Sequence, residues 1–460
     1  MVAKNQWTEI AQERILMKKT HTSFPQLKYP SLRDKGFRDP VQWLTGKALD
    51  DGAEGLWRIH DKIYDFTSFM NNHPGGVEWL ELSKGTDITE AFESHHINPA
   101  TEKLLTKYYL REAMKPRNSP FTFKDDGFYR TLKRAAHEEL KKLPKYASRE
   151  ANVITDGLFV TLLCSSSLAS WVTNYSLAVF WYVVASASLA LLTVACHNFI
   201  HRRTNWRMYL FNMSLWSYRD FRISHVLSHH LYTNTLMDAE LSTLEPFLIY
   251  NPRVNKPLHA RIGFVTQYAI FPLLFLINFF KRFLSVVLWQ GSFNSHLRWH
   301  DAIGLTLPLI MWLTSAASVA HVIYTWLCIN CTGSLLFFLI AVNAAHHHPD
   351  AMKDGDEPRN ETVDWGEHQV EALLDRKDVN RNSFAVMTLF GDHALHHMFP
   401  TLDHTVLKYL HPIFLKVCKQ YQTNYRSSTQ FELAIGQIKE TMRTTFKTYE
   451  ERKNHAYYKD

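Results

Sequence analysis

Apolar residues fall along this chain in blocks. From Gly157 to Cys196 run 40 residues without an Asp, Glu, Lys or Arg, and from Ala302 to Ala345 another 44. A helix needs roughly 20 predominantly apolar residues to cross a bilayer, so each block has room for two spans. Buried helices of soluble proteins rarely run this long without a charge. Thr173-Asn174-Tyr175-Ser176 predicts the turn in the first block, and the stretch Ile329–Gly333 the turn in the second. The expected spans are residues 157–173, 176–196, 302–323 and 327–345. A fifth stretch, Gly263–Phe280, has 18 uncharged residues, contains Pro272 and is closed by Lys281-Arg282. Histidine-rich segments follow both blocks, at 197–230 and 346–397. Four spans put these segments on one face of the bilayer, whereas five would separate them. If they share a site, the region 263–289 is interfacial or re-entrant. Arg202, Arg203, Arg207, Arg219 and Arg222 crowd the histidine side, which the positive-inside bias makes cytosolic.

Ahead of these blocks the period changes. Trp57, Ile59, Ile63 and Tyr64 alternate as the core positions of short strands should. Lys115-Pro-Arg-Asn-Ser-Pro120 reads as a linker. The expected organisation is an extension (1–45), a small folded module (46–115), a linker with an amphipathic segment (116–151), a membrane domain (152–415) and a C-terminal tail (416–460). Charge sharpens this division. The chain of 460 residues carries +7, but residues 51–100 alone hold nine acids and three bases. An acidic module thus precedes a basic remainder. Hydrophobic residues at 46% exclude a disordered chain, and five scattered cysteines argue against a disulfide-stapled secreted protein. Met1–Glu9 has no apolar run fit for a cleaved signal.

The 25 histidines carry the candidate chemistry. His73-Pro74-Gly75-Gly76 sets an imidazole on a turn in which Pro fixes the backbone and two Gly allow a tight reversal. His95 and His96 follow Asp87-Ile-Thr-Glu-Ala-Phe92-Glu-Ser. This module resembles the cytochrome b5 haem-binding domain. The resemblance implies haem b held by His73 and a second axial histidine, with His96 favoured and His95 the alternative. Two imidazoles on one iron leave no open position, so such a haem carries electrons and does not bind oxygen. The acidic residues Glu78, Glu81, Asp87, Glu90 and Glu93 would suit docking of a basic reductase.

His197-x3-His201, His225-x3-His229-His230 and His393-x2-His396-His397 are three further clusters. On a helix, residues three or four apart share a face, so both rings of such a pair can reach one metal. A lone pair at this spacing is more often structural than ligating. Three ordered boxes around four spans resemble the membrane fatty acid desaturase and hydroxylase superfamily. With the haem module in front, the chain is similar to the cytochrome b5-fusion desaturases, including their insect branch. Leu231-Tyr-Thr-Asn234 and Met398-Phe-Pro400 support the likeness. It implies an α+β haem domain followed by an all-α membrane domain of four transmembrane helices with a cytosolic helical cap. It also implies two non-haem iron ions on the eight box histidines. His346 and His347, after Asn343-Ala-Ala, are further ligand candidates. Position 393 is commonly Gln in front-end desaturases and is His here, which puts that regiochemistry in question.

Neutral nitrogen donors suit iron. The expected activity is oxygen-dependent desaturation of a fatty acyl chain, with acyl-lipid or acyl-CoA as substrate and NADH-cytochrome b5 reductase as electron donor. The expected setting is the endoplasmic reticulum membrane, and no nucleic-acid partner is expected. Hydroxylation on the same site is one alternative; a haem electron-transfer protein on an inactive anchor is another.

Overall fold

The computed structural model describes residues 22–33, 40–144, 147–288, 297–342 and 345–453. Met1–Glu9, His296 and Asn343 lie outside them.

The N-terminal module is built on an antiparallel sheet of β1 (Trp57–Ile59), β2 (Lys62–Tyr64) and β3 (Tyr109–Glu112), in that order. Trp57, Ile59 and Ile63 are fully buried and Tyr64 nearly so. Trp57, Ile59 and Tyr64 close one core with Phe66, Leu80 and Phe92, the last two from the helices Val77–Ser83 and Thr89–His95. Ile63, opposite Arg58 in the register, is buried on the other face of the sheet, so all four expected core positions are buried but not on one face.

The rest of the chain is helical. Helix α1 (Arg149–Trp171) turns within three residues into α2 (Tyr175–Ile200), whose N-cap Asn174 accepts a bond from the Leu177 amide. Twenty-six residues at 1.5 Å each give α2 a length of roughly 39 Å against a hydrocarbon core of about 30 Å. Its last turn thus carries His197 clear of the apolar layer.

The second block folds differently from expectation. Helix α3 (Ile303–Thr314) stops at Ser315, and α4 (Val319–Val342) runs unbroken through the expected turn at 329–333. Gly333 is a packing residue: a Cβ there would lie 3.0 Å from Leu189 of α2. The chain reverses at Ser315–Ser318 instead, where the Ser318 hydroxyl accepts from the His321 amide. Short as it is, α3 lies along α1. Gly304 approaches the Asn212 carbonyl at its start, and the Thr314 hydroxyl bonds Ser167, four residues from the end of α1.

Four helices among the described residues are long and apolar enough to cross a membrane: Arg149–Trp171, Tyr175–Ile200, Gly263–Leu284 and Val319–Ala341. The third is fixed at both ends to the histidine side. Gln267 accepts from Gln437 of the C-terminal helix Gln430–Met442, while Arg282 pairs with Asp220 and Asp301. Between those ends, Phe271 and Phe275 bond Ser334, eight residues before α4 ends.

Two expected boundaries fall inside helices. The helix His404–Tyr421 runs straight through residue 416, and Arg443 pairs with Asp356, so the expected tail belongs to the cap. The expected boundary at 45/46 falls inside the helix Pro40–Asp50, which packs on the region of the second histidine box, with Trp43 Nε1 donating to the Met237 carbonyl.

Candidate metal and haem centres

The first box behaves as its spacing predicts: His197 and His201, one turn apart on the end of α2, bring their Nε2 atoms to 2.9 Å. The second does not. Residues Arg222–His229 form a π-helix, a form common at functional sites. Its wider turn aligns residues five apart, so His225 Nε2 meets His230 Nε2 at 3.0 Å. His229 is swung to another neighbour, His346, at 3.2 Å. The third box also divides. His396 faces His197 at 3.2 Å, whereas His393 and His397, one α-turn apart, face His346 at 2.8 and 3.1 Å. The Nε2 atoms of His225 and His229, and of His393 and His396, thus face different neighbours, although His225 and His229 also group with the half-buried Glu240.

Two buried groups result. His197, His201, His225, His230 and His396 form one; His229, His346 and His397 form the other, with His393 against it. Nitrogens bound about 2.1 Å from one ion lie roughly 3 to 4 Å apart, and the facing atoms here are 2.7 to 3.2 Å apart. Burial, reinforced by the neighbouring imidazoles and other cations, holds His201, His230, His346, His393, His396 and His397 well below the usual histidine range. They are neutral donors, as metal ligation requires. The residues thus fit two transition-metal ions. His347 stands outside both groups: its ring packs on Tyr250 and its Nδ1 lies 3.5 Å from Lys353 Nζ.

The side chains that aim these rings escaped the sequence reading. Asp238 accepts from His229 Nδ1 at 2.8 Å and Glu240 from His225 Nδ1 at 2.7 Å. Gln369 Oε1 lies 3.0 Å from His397 Nδ1, and His404 Nε2 lies 2.9 Å from His396 Nδ1. Such partners fix the tautomer and raise ligand basicity. Burial would lower His229, but Asp238 and Glu240 outweigh it and raise the group. A cavity opens beside the groups, lined by His225, His229, His346 and His393 and walled by Trp216 and Phe338.

In the small module, the His73 and His96 rings face each other with centres 6.2 Å apart. Two imidazoles bound about 2 Å on either side of one metal place their centres roughly 6 Å apart, so the pair fits an axially ligated haem. Nδ1 of His73 bonds the Gly76 carbonyl and Nδ1 of His96 the Phe92 carbonyl, each at 3.0 Å, leaving Nε2 as the ligand atom. A Cβ on Gly75 would sit 2.8 Å from His73 Cε1, which explains the glycine. His95 is turned the other way, toward Trp79, with ring centres 5.7 Å apart.

The acidic residues of this module are engaged within the chain. Glu78 binds Arg219 and Arg222, Asp87 and Glu90 bind Arg117, and Glu93 binds Arg130 and Lys133. Expected as a reductase surface, four of the five acids instead dock the module onto its own chain; Glu81 is half-buried.

Residues 165–429 match the fatty acid desaturase family and residues 46–114 the cytochrome b5-like heme/steroid binding domain. The chain belongs to the fatty acid desaturase family. It is 40% identical over 420 residues to a cytochrome b5-related protein of Drosophila melanogaster, covering 90% of this chain and 94% of that protein. An acyl-lipid (8-3)-desaturase B of Dictyostelium discoideum is 26% identical over 83% of this chain and 89% of its own length. An acyl-lipid (8-3)-desaturase of Mortierella alpina is 23% identical over 87% and 96%. No solved structure matches the chain. The desaturase region holds both histidine groups, and the b5-like region the His73–His96 pair, so the b5-like module is fused in front of the desaturase domain.

Proposed function

We propose that the protein is an oxygen-dependent acyl-lipid desaturase. The observation that carries this reading is the cavity that opens directly on His225, His229, His346 and His393. His197, His201, His225, His230 and His396 would hold one iron; His229, His346, His393 and His397 would hold the other. His73 and His96 would hold haem b. When bound, these groups supply oxygen activation and one-electron transfer.

The chain's own residues do the rest. Trp216, Phe337 and Phe338 stack into an apolar wall that can seat an acyl chain and exclude water from the histidine face. Asp238 and Glu240 hold His229 and His225 at fixed tautomers. Asp220, Asn278 and Lys281 line the same cavity and can receive the polar end of the lipid. In this reading the histidine side faces the cytosol at the endoplasmic reticulum, with NADH-cytochrome b5 reductase as donor. The proposed units are the haem module (46–115) and the desaturase domain from residue 152.

Expression in a host of defined lipid composition, with fatty-acid profiling and metal analysis, tests the proposal. The expected result is a new unsaturated acyl species and about three irons per chain, one of them in haem. An unchanged profile from protein carrying all three irons would overturn it.

A further inference from the structure

The doubled histidine at 95–96 is the feature the haem site leaves unexplained. His96 faces His73, and one haem needs no third imidazole. Yet His95 is turned inward, its Nδ1 bonded to the Ala91 carbonyl at 2.9 Å and its Nε2 buried without a hydrogen-bond partner. Leaving a buried polar atom unpaired costs about 1–3 kcal/mol, so an apolar residue would serve packing better.

His95 sits at the seam between the two halves of the chain. Its ring meets Trp79, and the Trp79 ring lies under the guanidinium of Arg222, with 4.4 Å from the Arg222 Cζ to the ring centre. Arg222 is fully buried, and its Nε donates to the Ile200 carbonyl at 3.0 Å. The next residue is His201, a member of the five-histidine group. Two further contacts hold the seam closed. Gly76, in the His73 turn, abuts Thr204 just after the first box, and the Thr401 hydroxyl reaches the His95 carbonyl just after the third.

We propose that His95 and Trp79, with Arg222, form the bridge by which one electron passes from the haem held by His73 and His96 to the metal held by His201. In that step ferrous haem becomes ferric and one ferric non-haem iron becomes ferrous; no bond forms or breaks. The two histidines of the doublet then have separate tasks, His96 on the haem and His95 at the seam. The inference rests on the function proposed above.

The test uses full-length protein carrying haem and both non-haem irons. The haem is reduced and the non-haem centre ferric, and anaerobic oxidation of the haem is followed by its visible absorption. Protein with zinc in the histidine groups, which offers no acceptor, sets the background. His95→Leu and Trp79→Leu are each expected to slow the iron-dependent phase about tenfold, equivalent to about 1.4 kcal/mol of activation free energy. Haem spectrum and iron content should stay unchanged. His95→Phe and Trp79→Phe, which keep a ring at the seam, should restore most of the rate. Parent-like rates in both leucine variants would overturn the bridge and leave the proposed function standing. Loss of the haem spectrum in His95→Leu would overturn it by making His95 an axial ligand. No iron-dependent oxidation in the parent would overturn the bridge and the assigned haem role together.

Discussion

Glu78 is one of the four acids that dock the haem module onto the rest of the chain. It lies beside Trp79, and its carboxylate binds Arg219 Nη1 at 2.9 Å and the Nη1 of Arg222. The Arg222 side chain is 0% exposed, Arg219 3% and Glu78 12%. Breaking a buried ion pair by removing one partner costs about 3–5 kcal/mol, because the other charge is left uncompensated. Two features reduce that here. Glu78 keeps some contact with solvent, and Arg222 retains the Ile200 and Arg202 carbonyls as acceptors. Glu78→Ala is therefore expected to weaken docking by about 2–3 kcal/mol, or about 30- to 140-fold in the closed-to-open ratio. Amide hydrogen exchange reads such sub-global opening directly. The segments 76–84 and 217–224 should exchange faster by that factor, while β1 to β3 and the haem spectrum stay as in the parent. Glu112→Ala, on an exposed strand position, is the control and should change little. A rise of less than about threefold in Glu78→Ala would mean that the ion pairs decorate a seam held by packing alone, and the docking argument would fail.

His346→Ala should cost the protein about one non-haem iron, whereas His347→Ala should keep both, because His346 meets three other imidazoles and His347 packs on Tyr250; metal analysis of the purified variants decides. Asp238→Asn removes the carboxylate on His229 and should weaken metal binding at that group about 10- to 100-fold, read by competition with a chelator. Burial alone would raise the Glu93 carboxyl, but His60, Lys133 and Arg130 bring it down to about 2 from an ordinary 4.5. Its folded-state value lies below the unfolded one, so its stabilisation is complete above pH 4.5 and is lost as pH falls toward 2. The parent should lose stability relative to Glu93→Gln across that window in thermal melts, and parallel pH profiles would refute the assignment.

The parts of this molecule legible in its sequence are those governed by local rules. Trp57 and Ile59 share a core face because alternate residues of a strand point the same way, and His197 pairs with His201 because an α-helix repeats every 3.6 residues. What the pattern misplaced depends on departures from those rules. The π-helix at Arg222–His229 shifts the matching residue from i+4 to i+5, and nothing in the composition of Arg-Ile-Ser-His-Val-Leu-Ser-His announces it. Gly333 reads as a turn residue until Leu189 is seen against it. Asp238, Glu240, His404 and Gln369 lie 8 to 28 residues along the chain from the rings they contact, at no helical or strand period, so the pattern did not mark them.

Charge shows most clearly how a correct observation can support the wrong inference. An acidic module beside a basic remainder is a sound reading of the chain, and a separate basic partner is one way to satisfy it. The structure satisfies it internally, because the basic remainder is itself the partner. Glu90 and Glu93 are fully buried, and burying carboxylates is tolerable only against opposed charge. Arg117, Arg130 and Lys133 supply that charge, so the acids cannot also face an incoming reductase while the module is docked. A donor must approach another part of the haem module or meet it undocked. The two routes respond differently to Glu78→Ala: reduction of the haem by an external donor stays unchanged in the first and speeds up in the second.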